Sequence, residues 1–249
     1  MGPRADISSI EPVQEHRGLW LEDQSRIARR PSFEEVRVFT TESFATSATG
    51  QGRSMLSFRK PDAESIRRFI AEQGLLPLTY EGVGTTARTP PTGYVVDHTR
   101  VKLGVGEPTF LAAVSALKRW QQFQLSWVEA APRETPLQPG HVVCVMGHAV
   151  GVWWINACRI VYVVDKAGSV QRFGFAYGTL PGHVESGEER FLIEWDRSDD
   201  SVWYDIVAFS RPNHALTWLG YPVVRRLQKR FATDSGQAMI EATKGSLLK

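Results

Sequence analysis

Apolar positions in this chain change their period several times, and each change marks an element. After Asp62, which is placed to cap a helix, Ile66, Phe69 and Ile70 recur at helical spacing until Gly74. Gly82-Val83-Gly84 and Pro90-Pro91 make a loop, and Tyr94 to Leu103 reads as a strand. A second helix starts near Pro108, with Phe110, Leu111, Val114 and Leu117 as its apolar stripe and Trp120 extending it. Six strands then follow with little helix between them: Leu125–Ala130, His141–Met146, Arg159–Asp165, Arg172–Thr179, Glu189–Trp195 and Val202–Phe209. The turn signals between them are short, so the strands pair as antiparallel hairpins without crossover helices. Tyr221-Pro222 opens a last helix, proline fitting its first turn. Val224, Leu227, Phe231, Ala238 and Met239 lie on one face of it, and Arg225, Arg226, Lys229 and Arg230 spread around the rest.

A strand, a helix, a run of antiparallel strands and one long amphipathic helix make an α+β domain. The expected architecture is a curved antiparallel sheet of about seven strands wrapped around the C-terminal helix. This order resembles the helix-grip fold of START and Bet v 1-like domains, a likeness of fold and not of function. Residues 52–247 are expected to form this single domain. Residues 1–51 mix charges with Ser, Thr and Gly and read as a largely flexible extension, with Trp20 as its candidate docking residue.

Composition adds aromatic weight: eight Trp, twelve Phe and six Tyr, side chains that dominate cores and also line pockets. A net charge of +2 gives no case for a nucleic-acid partner. The positive excess is local, with six Lys/Arg against two Asp/Glu over residues 222–249. No run approaches the ~20 apolar residues of a membrane-spanning helix. Two cysteines, Cys144 and Cys158, are too few for a disulfide framework, and a cytoplasmic location is the expectation. Both sit in apolar strand-like runs and read as buried thiols.

The segment Gly174-Phe175-Ala176-Tyr177-Gly178-Thr179-Leu180-Pro181-Gly182-His183, continuing through Glu185, Gly187, Glu188, Glu189, Arg190 and Phe191, is the most distinctive in the chain. It resembles the hallmark of the domain-of-unknown-function family nineteen-ninety (DUF1990, the uncharacterised protein family UPF0548). Arg59-Lys60-Pro61, Leu76-Pro77-Leu78-Thr79-Tyr80, Arg159-Ile160-Val161-Tyr162, Phe209-Ser210-Arg211-Pro212 and the stretch from Tyr221-Pro222 to Ser235 are similar to that family too. The resemblance covers about four-fifths of the chain and implies no activity and no catalytic residues.

In the hallmark strand Phe173, Phe175, Tyr177 and Thr179 alternate with Arg172, Gly174, Ala176 and Gly178, giving one aromatic and one nearly bare face. The glycines either let the strand bend around the helix or mark a close approach by ligand or backbone. His183 lies near Glu185, Glu188 and Glu189, a metal-ligating or proton-exchanging combination, but the spacing matches no ligand motif. No metal and no cofactor is expected. The glycine pairs at 82–84 and 104–106 lack the third glycine of a dinucleotide turn, and phosphate-loop, nucleophile-elbow and paired-cysteine patterns are absent.

The leading expectation is a carrier domain that holds a small apolar molecule or lipid between sheet and last helix. Its inward set is Tyr162, Phe175, Tyr177, Phe191, Ile193, Trp195 and Tyr204, facing Leu227 and Phe231. The alternative that these rings leave no space stays open. A second reading is a helix-grip enzyme, a cyclase or hydrolase, with Tyr177, His183 and Arg211 as its candidate polar groups and His214 beside Arg211 at the mouth. A third is a membrane-peripheral module that meets anionic lipid through the basic final helix.

Overall fold

A computed structural model of the chain describes residues 55–213 and 220–247. In chain order the elements are β1 (Met55–Ser57), α1 (Ala63–Gly74), β2 (Val95–Val105), α2 (Gly106–Lys118), β3 (Val128–Ala131), β4 (Val142–Ala149), β5 (Val152–Lys166), β6 (Val170–Thr179), β7 (Glu185–Asp196), β8 (Ser201–Pro212) and α3 (Tyr221–Leu247). Short 3₁₀ turns stand at Thr85–Ala87 and Gln121–Phe123. The expectations for residues 1–51, for Trp20 and for His214 lie outside the described residues.

Asp62 caps α1 as its position suggests, its Oδ1 accepting from the Ser65 N–H at 2.8 Å. The sheet is antiparallel throughout, in the order β2-β8-β7-β6-β5-β4-β3, with β1 paired to β5 beside that path. It curves around α3, which at 27 residues is about 40 Å long. The arrangement is a helix-grip fold. Beyond small shifts at strand ends, β1 at Met55–Ser57 and two longer stretches differ from the sequence reading. Val152–Cys158 extends β5 at its start, because Trp153, Trp154, Ile155, Ala157 and Cys158 put apolar groups on both faces and erase the alternation. Glu185–Glu188 belongs to β7, although so polar a run reads as a turn.

The sheet buries both faces. On the concave side Phe173, Phe175, Tyr177, Phe191, Ile193 and Tyr204 join Phe110 and Leu117 of α2, Trp120 and Phe123 of the following turn, and Met239 of α3 in one core. On the convex side α1 lays Ile66 and Phe69 against Cys144, Met146, Ile155, Ala157 and Leu180. The two thiols therefore fall on opposite faces; burial pushes Cys144 up to about 12 and Cys158 well above its ordinary value.

The hallmark glycines are sites of close approach by the protein's own atoms. A Cβ on Gly178 would stand 2.2 Å from Tyr80 Oη, and one on Gly187 would stand 1.9 Å from the Phe209 carbonyl oxygen. Gly187→Ala must displace backbone of β8, whereas a Cβ on Gly168 meets nothing nearer than 3.7 Å. Urea denaturation should show Gly187→Ala losing about 1–3 kcal/mol. Gly168→Ala should stay within about 0.5 kcal/mol of the parent.

Candidate functional site

The concave groove is filled along part of its length only. Trp120 and Phe123 plug one part, Trp120 lying 5.0 Å from Phe175 and Phe123 lying 5.5 Å from Phe191 between ring centroids. Phe231 of α3 rests on Phe123 at 5.0 Å. Beyond the plug the helix spans a gap. On one flank Arg225 donates to both oxygens of Asp97 on β2, at 2.5 and 2.6 Å. On the other, Trp127 Nε1 donates to Asp234 at 2.8 Å while Arg230 stacks over the Trp127 ring. Beneath it lies a cavity of about 990 Å³.

Apolar side chains from both layers line it, among them Val145, Trp154, Ile206, Val224, Leu227 and Phe231. Its polar wall comes from the start of β7 and the loop before it. Glu185 is buried and accepts from Gln228 Nε2 at 2.7 and 2.6 Å and from Ser210 Oγ at 3.1 Å. His183 Nδ1 accepts from the Glu185 N–H at 2.9 Å, and burial pulls its pKa down to about 4, so the ring is neutral. Glu189 accepts from Tyr177 Oη at 2.7 Å. Burial pushes this carboxyl up to about 7, against the lowering effect of the tyrosine bond, with Glu185 and Asp97 adding to the rise. Glu189 is half-buried and lines the cavity.

The profile of the family described as Domain of unknown function (DUF1990) matches residues 79–238. The chain belongs to that family. Among its relatives, a UPF0548 protein of Dictyostelium discoideum is 37% identical over 207 residues, covering 76% of this chain and 95% of the relative. A UPF0548 protein of Arabidopsis thaliana is 32% identical over 204 residues, covering 77% and 98%. One of Deinococcus radiodurans is 33% identical over 201 residues, covering 76% and 98%. Solved structures with a likeness to this one include Ara h 8.0201, with TM-score 0.39 and 10% identity over 60% of this chain and 99% of that one. Human STARD10 gives TM-score 0.38 and 14% identity over 74% and 81%.

The DUF1990 hallmark divides its residues between the two faces of β7. Glu188 points to the convex side and accepts from Tyr80 Oη at 2.7 Å, the Gly84 N–H at 2.6 Å, the Thr86 N–H at 3.0 Å and the Thr86 hydroxyl. Arg190, on the same side, donates to Asp205 at 2.8 Å and to the Thr86 carbonyl at 2.9 Å. These bonds pin the loop around Tyr80–Ala87 to the sheet. Glu185 and Glu189 alternate with them and face the cavity.

The sequence-derived wall set separates in the fold. Tyr177, Leu227 and Phe231 line the cavity. Phe175, Phe191 and Tyr204 have no exposure and belong to the plug and the packing under α3, Tyr204 Oη lying 3.0 Å from Ser235 Oγ. Trp195 packs on Phe110 near α2 and donates to Asp200 at 2.8 Å. Tyr162 is not inward: a bulge between Ile160 and Tyr162 flips it to the convex side, where its hydroxyl is 2.7 Å from Thr86 Oγ1. Arg211 is also on the convex side, stacked 4.7 Å over the Tyr94 ring, so the set Tyr177, His183 and Arg211 does not converge. The basic run of α3 is partly committed too, since Arg225 pairs with Asp97 and Arg230 with Asp234 at 3.2 Å.

The sequence reading groups Glu185 and Glu189 with His183 as a metal-ligating or proton-exchanging combination and does not place them in a cavity wall. The signal that reaches them is strand periodicity carried back from Phe191, which sets Glu189 opposite Tyr177 on the inward face. Among the described residues no group of three or more His, Cys, Asp or Glu is arranged to hold a metal ion.

Glu189 binds its proton more tightly folded than unfolded, so its contribution makes stability fall as pH rises from about 4.5 to about 7. His183 acts oppositely, adding stability as pH rises from about 4 to about 6.5. The difference between the parent and Glu189→Gln isolates the first effect. Glu189→Gln should gain on the parent by on the order of 1–3 kcal/mol between pH about 4.5 and about 8. Urea midpoints at those two pH values measure it, and an unchanged difference would show an ordinary carboxylate.

Proposed function

We propose that this protein binds a small, largely apolar molecule in the cavity between the concave sheet and α3. The observation that carries this reading is the cavity itself, about 990 Å³ beside a core otherwise filled with rings. Small-molecule sites have volumes of about 300–1,000 Å³ and combine apolar walls with a few polar groups. An apolar molecule seated there would add dispersion contacts with these walls. Bonds on both flanks, to Asp97 and from Trp127, fix α3 over the sheet. No helix among the described residues is long and apolar enough to cross a membrane. We place the protein in the cytoplasm, a reading supported by two cysteines that stay free thiols.

Nile red, an uncharged solvatochromic dye, should bind the protein with blue-shifted emission. Leu227→Trp, which fills the cavity from α3, should weaken that binding about tenfold without lowering the urea midpoint. Native mass spectrometry of the purified chain should show a bound apolar mass. A parent protein that neither shifts the dye nor carries such a mass would end this reading.

A further inference from the structure

The titratable groups of the cavity are unbalanced in sign. Asp97, Glu185 and Glu189 put carboxyl groups in its wall. Arg225 is held by both oxygens of Asp97, and its Nη1 also donates to Gln228 at 2.5 Å. Lys229 reaches the cavity only from an exposed position on α3. His183 is neutral, because it accepts from backbone through Nδ1 and burial opposes its protonation. Glu185 is occupied by Gln228 and Ser210. Glu189 has one partner, the Tyr177 hydroxyl on Oε2, and among the described residues no donor reaches its Oε1.

We propose that the cavity is selective for apolar molecules carrying a protonated amine, whose ammonium N–H is taken by Glu189. The inference rests on the cavity-binding reading and names the head group. An ammonium supplies Glu189 with a cation that no side chain of the wall gives it, and its charge-assisted bond forms where solvent screening is weak. A fatty acid or other anionic amphiphile would bring a like charge toward Glu185 and Glu189, which rejects it. An alcohol of the same length keeps the apolar contacts and forgoes the ion pair.

The charged and titratable groups that act on Glu189 or line its cavity are Tyr177 of β6, Cys158 of β5, Tyr204 of β8, Asp97 and His98 of β2, Glu185 and Glu188 of β7, His183 of the loop and Lys229 of α3. Burial raises Tyr177, Tyr204 and Cys158 well above their ordinary values, so they stay neutral. Ionisation of Glu189 near pH 7 then creates the charge that the ammonium meets, and amine affinity rises with it.

The test is displacement of Nile red by dodecylamine, dodecanol and dodecanoate below their aggregation limits, at pH about 6 and about 8. At the higher pH the amine should displace the dye at about tenfold lower concentration than the alcohol, with the carboxylate weakest. Glu189→Gln should bring amine and alcohol to within about twofold, while Glu81→Gln, an exposed change of the same charge, leaves the preference intact. Tyr177→Phe keeps the ring but removes the bond that lowers the Glu189 pKa, so the amine preference should appear at higher pH. A carboxylate equal to the amine, or a full amine preference in Glu189→Gln, overturns the proposal while the cavity reading stands. Loss of dye binding by the parent chain overturns both.

Discussion

The contact of Phe123 with Phe231 sets the distance between the sheet and its helix. Phe123 comes from the 3₁₀ turn after α2, where Trp120 is buried completely and donates its Nε1–H to the Thr135 carbonyl at 2.9 Å. That bond fixes the turn, and the turn fixes how deep the plug sits against Phe175 and Phe191. α3 then rests on a stack of rings and cannot follow the curve of the sheet downward. Collapse onto β4 and β5 would require the plug to leave, exposing rings that each bury roughly 150–250 Å². The cavity is thus a by-product of packing one end of the groove well.

The hallmark segment works through the two-residue period of a strand. Glu188 and Glu189 are neighbours in sequence and opposite in circumstance. Glu188, on the convex face, is met by four donors and holds the Tyr80–Ala87 loop against the sheet. Glu189, on the concave face, is met by one. A one-residue slip in β7 would exchange them, placing the loop anchor in the cavity and leaving the loop without acceptors. Gly187 fixes that register sterically, because no other residue tolerates the Phe209 carbonyl at its Cβ position.

Much of this was legible in the chain. Helical spacing after Asp62 and the inward alternation of Phe173, Phe175 and Tyr177 gave the elements and the curved sheet around a final helix. What failed to show had physical causes. The bulge at Ile160/Tyr162 resets the alternation without a glycine or proline to announce it, so Tyr162 was assigned to the wrong face. Phe175, Phe191 and Tyr204 face inward as expected, yet a linear pattern cannot say that Trp120 and Phe123 arrive from the preceding turn to cover them. Nor does it say that Arg211, at the end of β8, turns outward onto Tyr94. The run from Glu185 to Glu188 reads as a turn because consecutive polar or small residues carry no apolar signal. Its burial depends on Gln228, Ser210 and Tyr80, partners distant in sequence.

A cavity-wall carboxyl with one hydroxyl partner and no paired cation, as Glu189 is, departs locally from what folding alone favours, and such departures concentrate where a protein meets something else. The chain does hold a cation within reach, on Arg225, but Asp97 binds it in a two-pronged pair at the edge of the sheet. Arg225 therefore reaches Glu185 only through space and leaves Glu189 to Tyr177. The pair on the flank does two things at once: it ties α3 to β2, and it holds the guanidinium away from a direct bond with Glu185. Stability of the grip and polarity of the cavity are thus set by the same ion pair.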